Sequence, residues 1–247
     1  MWTSGDRELK ERRQGTEGRL TLNYVKRFVL LTILGVLACA CTSRLNGPAF
    51  GIDVSQYNGN IDWGKVKTQK KTKDPIKFVI IRSSVGVDKD IRYEKNYKEA
   101  KEHGFIVGTY HYYRPNENST KQFENFKATL HLAKGDIIPV VDIEVNSSVQ
   151  SMKSLKIGLR NFITLVEDEF GVKPIIYTKL SMWEDFLQYE FSDCKLWIAA
   201  YSSKRRKDDV VKNAAIHQFT KEIRNIPGIP EKYVDGDDAR NLRAILY

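Results

Sequence analysis

Residues Gly135 to Asn146, GDIIPVVDIEVN, contain the pattern that decides the fold. Within this stretch, Ile137 to Val141 is a short apolar run rich in β-branched residues, which favours a strand buried on both faces over a helix. Two acids, Asp142 and Glu144, follow the run directly. Side chains two residues apart on a strand project from the same face, with Cα atoms about 6.5 to 7 Å apart. The stretch therefore predicts two neighbouring carboxylates at the end of a buried strand.

This acid pair allows a catalytic and a structural interpretation. Two acids beside a glycosidic bond can divide the chemistry, one protonating the leaving oxygen while the other attacks or stabilises the positively charged sugar. Strand ends also often carry solvated Asp, so the D-I-E triplet alone leaves both interpretations open. The C-terminal ends of parallel strands are where α/β folds place their active sites, which favours catalysis if this strand is parallel.

Strands and helices alternate along the chain from about residue 49. The patterns predict seven clear strands, near residues 50–53, 76–82, 105–113, 137–141, 173–178, 196–201 and 215–219. Helical patterns lie between them, near residues 93–103, 120–132, 155–170 and 183–189, with a further helix starting at Asp62-Trp63. The last 22 residues, 226–247, begin as a loop and end in a predicted eighth strand near 242–246. This order predicts an α/β fold, a modified TIM-like β/α barrel that is irregular in its last third.

The first 41 residues differ in character from the rest of the chain. Residues 1–27 are polar and end in Lys26-Arg27, and residues 28–41, FVLLTILGVLACAC, are nearly all apolar. This segment is short for a membrane span but fits the core of a secretory signal. Residues 36–39, Val-Leu-Ala-Cys, resemble a bacterial lipobox and predict lipidation at Cys39, with Cys41 less well placed and an uncleaved signal anchor as the alternative.

We therefore predict three regions: a signal or lipoprotein segment at 1–41, a tether at 42–48 and a catalytic barrel domain at 49–247. The protein is expected to be exported to the cell envelope and held to the membrane through an N-terminal lipid or signal anchor. Its formal charge of +9 is spread along 247 residues, which argues against nucleic-acid binding. Two of its three cysteines lie in the signal segment, so no disulfide framework is expected, and neither His111 nor His217 has the spacing of a zinc ligand.

Acids and aromatic residues recur where other strands are predicted to end. Asp53 ends the first strand, and Asp235, Asp237 and Asp238 lie in the last stretch. In a barrel these ends meet on one rim. Aromatic residues that suit stacking on sugar rings lie beside them: Tyr57, Tyr110, Tyr112, Tyr177, Trp197 and Tyr201.

Eight short motifs in the same order resemble the glycoside hydrolase family 25 lysozymes, which are N-acetylmuramidases. The motifs are GIDVSQY (51–57) with IDW (61–63), FVIIR (78–82), Asp90 with Asn96, GTYHYY (108–113), PVVDIE (139–144), PIIYT (174–178), LWIAAY (196–201), and HQFT (217–220) with Asp235. None of them is strongly specific alone, whereas the ordered set is. The resemblance covers residues 50–240.

The resemblance implies hydrolysis of the β-1,4 bond between N-acetylmuramic acid and N-acetylglucosamine in peptidoglycan. It implies that Glu144 is the general acid, and that Asp142 either attacks the anomeric carbon or stabilises the substrate's own acetamido group as the nucleophile. Asp53 and Asp235 match supporting carboxylates, with Asp237 as the alternative late acid. We expect Glu144 to be protonated near neutral pH and Asp142 to be ionised.

Several further expectations complete this interpretation. The expected substrate contacts are Tyr57, Tyr110, Tyr112, Tyr177, Trp197, Tyr201, Gln218 and Asp237. We expect a monomer that binds peptidoglycan glycan strands and needs no metal or cofactor. One departure is Ser83–Gly86, which replaces an acidic residue that many relatives carry after the second strand. The alternatives are a barrel glycosidase acting on another N-acetylated glycan such as chitin, and a surface-anchored peptidoglycan-binding module without catalysis.

Overall fold

The computed structural model describes residues 46–145, 150–202 and 208–247, and within these ranges the strands form one sheet. The strands are β1 (Ala49–Val54), β2 (Phe78–Val85), β3 (Asp88–Lys89), β4 (Ile106–Tyr112), β5 (Val140–Asp142), β6 (Ile175–Lys179), β7 (Leu196–Ala199), β8 (Ile216–Arg224) and β9 (Tyr233–Ala239). Their order is β1-β9-β8-β7-β6-β5-β4-β2-β3, and β1 also pairs with β2. The sheet therefore closes into a barrel, with β3 added to β2 as a short hairpin. The predicted α/β barrel is confirmed.

The barrel departs from a regular β/α barrel at its last strand. Neighbouring strands are parallel from β1 through β2 and β4 to β8, whereas β9 runs antiparallel to both β8 and β1. An antiparallel strand presents its beginning at the rim where the parallel strands end. Asp235, near the start of β9, consequently lies opposite Asp53, near the end of β1. The reversed strand is the main irregularity of the last third.

Helical segments lie between the strands. They are Trp63–Thr68, Tyr93–Glu102, Ser119–Thr129, Met152–Phe170, Leu180–Met182, Gln188–Phe191 and Asp209–Asn213, with a π-helical turn at Trp183–Leu187 and 3-10 turns at Gln56–Asn58 and Leu242–Ile245. Local sequence sets several of their ends. Asp62 caps the first helix by accepting a hydrogen bond from the backbone of Lys65, and Gly171 ends the longest helix in the left-handed conformation, with φ of 70°.

The apolar core lies between the sheet and these helices in two clusters. One includes Phe126 and Phe162 from the helices at 119–129 and 152–170, and the other includes Trp63 and Tyr93. Burial of apolar surface contributes about 25 cal/mol per Å², so these packed faces dominate the stability. They also fix the outer face of each strand, and alternate residues consequently point towards the barrel axis.

The predicted eighth strand near residues 242–246 is wrong, because Leu242–Ile245 is a 3-10 helix and the closing strand is β9. Asp and Gly disfavour strands, but β9 pairs with a neighbour on each side, and this pairing outweighs local propensity. Gly236 suits the crowded position, since a Cβ there would lie 2.6 Å from Ile223 Cδ1.

The strand predicted at 137–141 is shorter than expected, and β5 covers only Val140–Asp142. The residues before it pair with the end of the chain instead. Ile137 forms an isolated antiparallel bridge with Leu246, and Ile138 N donates to Ile245 O at 2.9 Å. β5 itself is buried and has parallel partners on both sides, as predicted.

The predictions for residues 1–41, including Cys39 and Cys41, lie outside the described residues, as does most of the tether. Within the part of the chain that the structure describes, no helix combines the length and apolar character needed to cross a membrane.

Candidate active site

A cleft of about 260 Å³ opens where the parallel strands end. Acids, aromatic residues and cations line it: Asp53, Arg82, Tyr110, Tyr112, Asp142, Glu144, Tyr177, Trp197, Tyr201, Gln218, Lys221 and Asp235. Every residue predicted for the site lies on this lining except Tyr57 and Asp237. Within the described ranges, no group of three or more His, Cys, Asp or Glu residues is arranged to hold a metal ion.

The strand β5 and the residues after it bring Asp142 and Glu144 to the same cleft. Asp142 is the last residue of β5, and its neighbour Ile143 is buried in the core. Ile143 is held by two hydrogen bonds: its N–H donates to Tyr177 O at 3.0 Å, and its carbonyl accepts from Thr178 Oγ1 at 2.6 Å. The alternation predicted from the sequence therefore extends past the strand end, and both acids line the cleft.

The two acids lie in different surroundings. Asp142 is 5% exposed, and its buried Oδ1 has no hydrogen-bond partner among the described residues. Burial raises the pKa of Asp142 well above its usual value, and the negative charges of Glu144 and Asp53 raise it further. The Glu144 side chain is 24% exposed and lies 3.4 Å from Lys179 Nζ. We expected Asp142 to be ionised, but in the free site its burial and its charged neighbours favour the protonated form.

Gln218 organises the floor beside these acids. Its Nε2 donates to Asp53 Oδ2 at 2.8 Å, while its Oε1 accepts from the hydroxyls of Tyr177 at 2.9 Å and Tyr201 at 2.6 Å. These bonds use both ends of the amide and so fix the orientation of Asp53. Burial raises the pKa of Asp53 well above its usual value and the charge of Asp235 adds to this, whereas the bond from Gln218 opposes it.

The two late acids lie at different depths. Asp235 lines the cleft opposite Asp53, and burial together with the charge of Glu144 raises its pKa to about 6. Asp237, two residues later on the same face of β9, is completely buried, and Trp197 Nε1 donates to its Oδ1 at 2.8 Å. Asp235 is therefore the late carboxylate that opens on the cleft. Asp237 does not have the exposed position expected of a substrate contact.

The predicted aromatic residues divide into a floor and an open wall. Trp197, Tyr177 and Tyr110 are buried and pack together, with ring centroids of Trp197 4.5 Å from Tyr177 and 6.3 Å from Tyr110. Tyr112 is half-buried and Tyr201 is exposed. Among the rings that line the cleft, Tyr112 and Tyr201 are consequently the ones with surface available for stacking on a sugar.

The sequence analysis missed three cations of the site. Arg82 is held by Asp90, whose Oδ2 accepts from Arg82 Nε at 3.0 Å, and its guanidinium lies 4.9 Å from the ring centroid of the exposed Tyr57. Lys179 pairs with an acid of the cleft, and Lys221 lines the cleft. Arg82 ends the quoted FVIIR motif at the rim, so a search of strand ends for cations as well as acids would have found it.

The Ser83–Gly86 departure is accompanied by a bulge in β2. The pairing of β2 with β4 shifts register between Arg82 and Ser84, and a bulge changes the direction of the side chains around it. Ser84 Oγ lies 2.8 Å from His111 Nδ1 in the buried layer outside the barrel, whereas Arg82 lines the cleft. Arg82, and none of residues 83–86, is therefore the part of this segment that lines the cleft.

The sequence is similar to a known protein family and to several known proteins. Residues 52–229, most of the chain, match the model of the family described as Glycosyl hydrolases family 25. The uncharacterized protein YegX of Escherichia coli K12 is 29% identical over 160 residues, which cover 64% of this chain and 58% of that protein. The autolytic lysozyme of Clostridium acetobutylicum is 29% identical over 160 residues, covering 64% of this chain and 47% of that protein. The matches therefore span about half the length of these curated relatives.

Solved structures have the same fold. The bacterial lysozyme from Streptomyces coelicolor superposes with a TM-score of 0.66 at 24% identity, covering 76% of this chain and 90% of that chain. The family 25 glycosyl hydrolase from Bacillus anthracis superposes with a TM-score of 0.65 at 24% identity, covering 77% and 88%. Because the family model matches well over half of the sequence, the chain belongs to glycosyl hydrolases family 25.

Proposed function

We propose that the chain is a lysozyme that hydrolyses the β-1,4 bond between N-acetylmuramic acid and N-acetylglucosamine in peptidoglycan. The observation that carries this proposal is the convergence of Asp53, Asp142, Glu144 and Asp235 in one cleft of a family 25 chain. The relatives named as lysozymes support the same substrate class. The open cleft, with tyrosine hydroxyls and rings on its wall, suits a polysaccharide strand.

Glu144 is the general acid in this proposal. It is more exposed than Asp142 and lies beyond the end of β5, where it can reach the oxygen of a glycosidic bond lying along the cleft. Its access to solvent allows the proton to be replaced after each turnover. General acid catalysis of this kind contributes about 100- to 10,000-fold to the rate.

Asp142 acts on the anomeric carbon, either by direct attack or by holding the substrate's acetamido group for attack. The buried Oδ1, which lacks a protein partner among the described residues, supports a role in receiving a substrate group. An acetamido N–H donated to this oxygen would stabilise the ionised form and so lower the pKa of Asp142. The free site would then hold Asp142 protonated, and substrate binding would favour its ionisation. Asp53 and Asp235 support the developing positive charge from the opposite side of the barrel.

The proposal is tested by incubating the purified protein with peptidoglycan and, in parallel, with chitin, and by measuring soluble sugar fragments. We expect release from peptidoglycan alone and loss of release in Glu144→Gln. The matched control is Glu222→Gln, which changes an exposed acid of β8 that does not line the cleft. Release from chitin would favour a glycosidase of another N-acetylated glycan. Tight binding to peptidoglycan without release would favour a binding module, and either result would overturn the proposal.

We also propose that the protein acts outside the cytoplasm, because peptidoglycan lies there and residues 28–41 have the composition of a secretory signal. Lipidation at Cys39, membrane attachment and the monomeric state stay predictions. Labelling cells with a fatty acid tests the first of these. We expect labelled protein from the wild-type sequence and none from Cys39→Ala, and label that persists in the variant would exclude Cys39 as the lipidation site.

A further inference from the structure

One buried acid of the barrel has no part in the proposed function. Asp237 has no exposed surface, and only its Oδ1 receives a hydrogen bond from a conventional donor, Trp197 Nε1 at 2.8 Å. Its Oδ2 is buried and has no such donor among the described residues. Leaving a charged carboxylate in this state is costly, so the group requires either a cation, a donor or a proton.

The group that contacts Asp237 is a second carboxyl group. Asp53 and Asp237 lie on the same inner face of β1 and β9, and a hydrogen bond between their side chains lowers the pKa of Asp53 and raises the pKa of Asp237. The pairing of β1 with β9 explains this contact, because Asp53 lies opposite Asp235 and Gly51 lies opposite Asp237, which makes the two acids diagonal neighbours on the inner face. Ionised carboxylates only accept hydrogen bonds, so the contact is favourable only when one of the two acids carries a proton.

We propose that Asp237 is a positioning residue that keeps its proton and donates a hydrogen bond to Asp53. This inference rests on the proposed function, in which Asp53 is a supporting carboxylate of the cleft. With the proton on Asp237, Asp53 accepts one bond from Asp237 and another from Gln218 Nε2 at 2.8 Å. Both bonds stabilise the ionised form of Asp53 and fix the direction in which it faces the substrate.

The position of the two acids decides which one holds the proton. Asp237 is wholly enclosed, whereas Asp53 lines the cleft, where water and substrate donors can reach it. Burial, followed by the charge of Asp53, raises the pKa of Asp237 well above its usual value. The donated bond from Asp237 acts in the opposite direction on Asp53 and lowers its pKa.

The groups that face the pair agree with a single negative charge on it. Asp235 on β9, Asp142 at the end of β5 and Glu144 beyond it are acids whose ionised forms disfavour a second carboxylate in the pair. Trp197 on β7 and Gln218 on β8 are neutral, and each donates to one carboxyl group. Neither neutral group supplies the charge that two adjacent carboxylates would require.

Two substitutions of Asp237 separate hydrogen bonding from packing. Asp237→Asn reproduces the protonated acid, since the amide nitrogen can donate to Asp53 while the amide oxygen accepts from Trp197. Asp237→Leu keeps a similar volume and removes both bonds. At about pH 6, where Asp235 is near half-ionised, we expect Asp237→Leu to lose about 10- to 100-fold in kcat/KM and Asp237→Asn to recover most of that loss.

The alkaline side of the pH profile distinguishes positioning from space-filling. Wild-type kcat/KM should fall when Asp237 ionises, because two adjacent carboxylates repel each other. Asp237→Asn has no proton to lose at this position, so its alkaline limb should move to higher pH. A residue that only fills space would leave the limb of Asp237→Asn where the wild type has it, and that result would overturn the inference.

Infrared spectroscopy provides a readout that does not depend on hydrolysis. A wild-type minus Asp237→Asn difference spectrum at neutral pH should contain the carbonyl stretch of a protonated carboxylic acid. The absence of this band from folded protein would overturn the inference. If the protein shows the band but releases nothing from peptidoglycan, the proposed function would be overturned, whereas the inference that Asp237 carries a proton would stand. Because these two comparisons use Asp237→Asn, they remain decisive if Asp237→Leu fails to fold.

Discussion

Two buried aspartates, Asp136 and Asp142, lie on either side of residues 137–141, and the groups around their carboxylates differ. Asp136, on the N-terminal side of these five residues, is 1% exposed. Its carboxylate accepts from Tyr97 OH at 2.7 Å and from Ala133 N at 3.0 Å, and it pairs with Lys101. Asp142, on the C-terminal side, is also buried, but its Oδ1 has no hydrogen-bond partner among the described residues. The two acids share a residue type and a degree of burial, and they differ in what surrounds the carboxyl group.

This difference separates a structural acid from one that is available for chemistry. Asp136 uses its charge to join the helix at 93–102 to the segment before β5, which stabilises the ion and the local fold together. Asp142 lies near two other acids, Glu144 and Asp53, and burial together with their charges outweighs the opposing effect of Arg82 and Lys179 on its pKa. Groups whose pKa is perturbed by burial and like charge cluster at functional sites. The partners of a buried acid, more than its burial, therefore identify the end of the barrel that carries the candidate active site.

The largest expected effect is on catalysis. Asp142→Asn should lower kcat on peptidoglycan by about 100- to 1,000-fold, because it removes the charge that acts at the anomeric carbon. Asp136→Asn should leave kcat of the folded fraction within about threefold of wild type, since this acid lies at the other end of the stretch, outside the cleft. Initial rates of fragment release, corrected for folded protein, make the comparison. Similar losses in both variants would remove the distinction between the two acids.

The next effect is on stability, where the two variants should have opposite signs. Asp136→Asn breaks a buried pair whose Lys101 is 34% exposed and should cost about 2 kcal/mol of unfolding free energy. Asp142 has a raised pKa when folded, so the native state binds its proton more tightly, and its contribution to stability falls as the pH rises above the unfolded pKa of about 4. Asp142→Asn has no proton to lose at this position, so its fold should be more stable than the wild type by about 1 kcal/mol near neutral pH.

Urea unfolding of both variants at several pH values checks these signs. The gain in Asp142→Asn should be largest at neutral and alkaline pH and should vanish near pH 4, at about the unfolded pKa. A loss of stability in Asp142→Asn at neutral pH would mean that the native state stabilises its charge as it does for Asp136.

The two faces of β4 provide a smaller contrast. Tyr110 and Tyr112 line the cleft, whereas His111 is buried in the outer layer, stacked on Phe162 at 4.9 Å and bonded through Nδ1 to Ser84. Burial lowers the pKa of His111 to about 3, so its contribution to stability is complete above the unfolded pKa of about 6.5 and is lost as the pH falls towards 3.

At about pH 5 the unfolded chain takes up a proton on His111 that the folded protein does not bind. This difference should lower the unfolding free energy of the wild type by about 2 kcal/mol relative to neutral pH. His111→Gln cannot take up the proton, so the difference in unfolding free energy between wild type and variant should change by that amount between the two pH values. Parallel stability curves would show that His111 does not titrate on unfolding.

The smallest expected effect concerns the cleft itself. Asp235 has a pKa of about 6, raised by burial and by Glu144, and the positive charge of Lys221 lowers it. Lys221→Met should therefore raise this pKa and move the acid limb of kcat/KM to higher pH by a few tenths of a unit, because Lys221 is exposed and solvent screens its charge. Lys195→Met, an exposed lysine outside the cleft, is the control. Equal shifts in the two variants would exclude a specific interaction.

The spacing of apolar residues, together with the residues at the ends of strands and helices, was sufficient to predict most of the barrel. Asp53 and Asp142 mark strands at the predicted places, the helix predicted to start at Asp62-Trp63 begins at Trp63, and the helix predicted to end near residue 170 ends at Phe170. The direction of β9 could not be predicted, because its local sequence is typical of a loop and the strand is stabilised by pairing with distant neighbours. That reversal is also what places Asp235 on the rim.

The acids and rings of the site could be predicted because they follow strand ends. Its cations were missed because only acids and rings were sought at the strand ends, although Arg82 ends the FVIIR motif and Lys179 ends β6. What the sequence alone does not show is their partners, Asp90 and Glu144, which lie elsewhere in the chain. The raised pKa of Asp142 was also not predicted. It depends on burial and on charges brought together from separate strands, and these exist only in the folded barrel.

The bond that is cleaved provides the most direct test of the proposed function. Fragments released from purified peptidoglycan are reduced with borohydride, and their new ends are identified by mass spectrometry. We predict reduced muramic acid ends from the wild type and none from Glu144→Gln or Asp142→Asn. Reduced glucosamine ends, or the same fragments in equal yield from either variant, would contradict the assignment of this cleft.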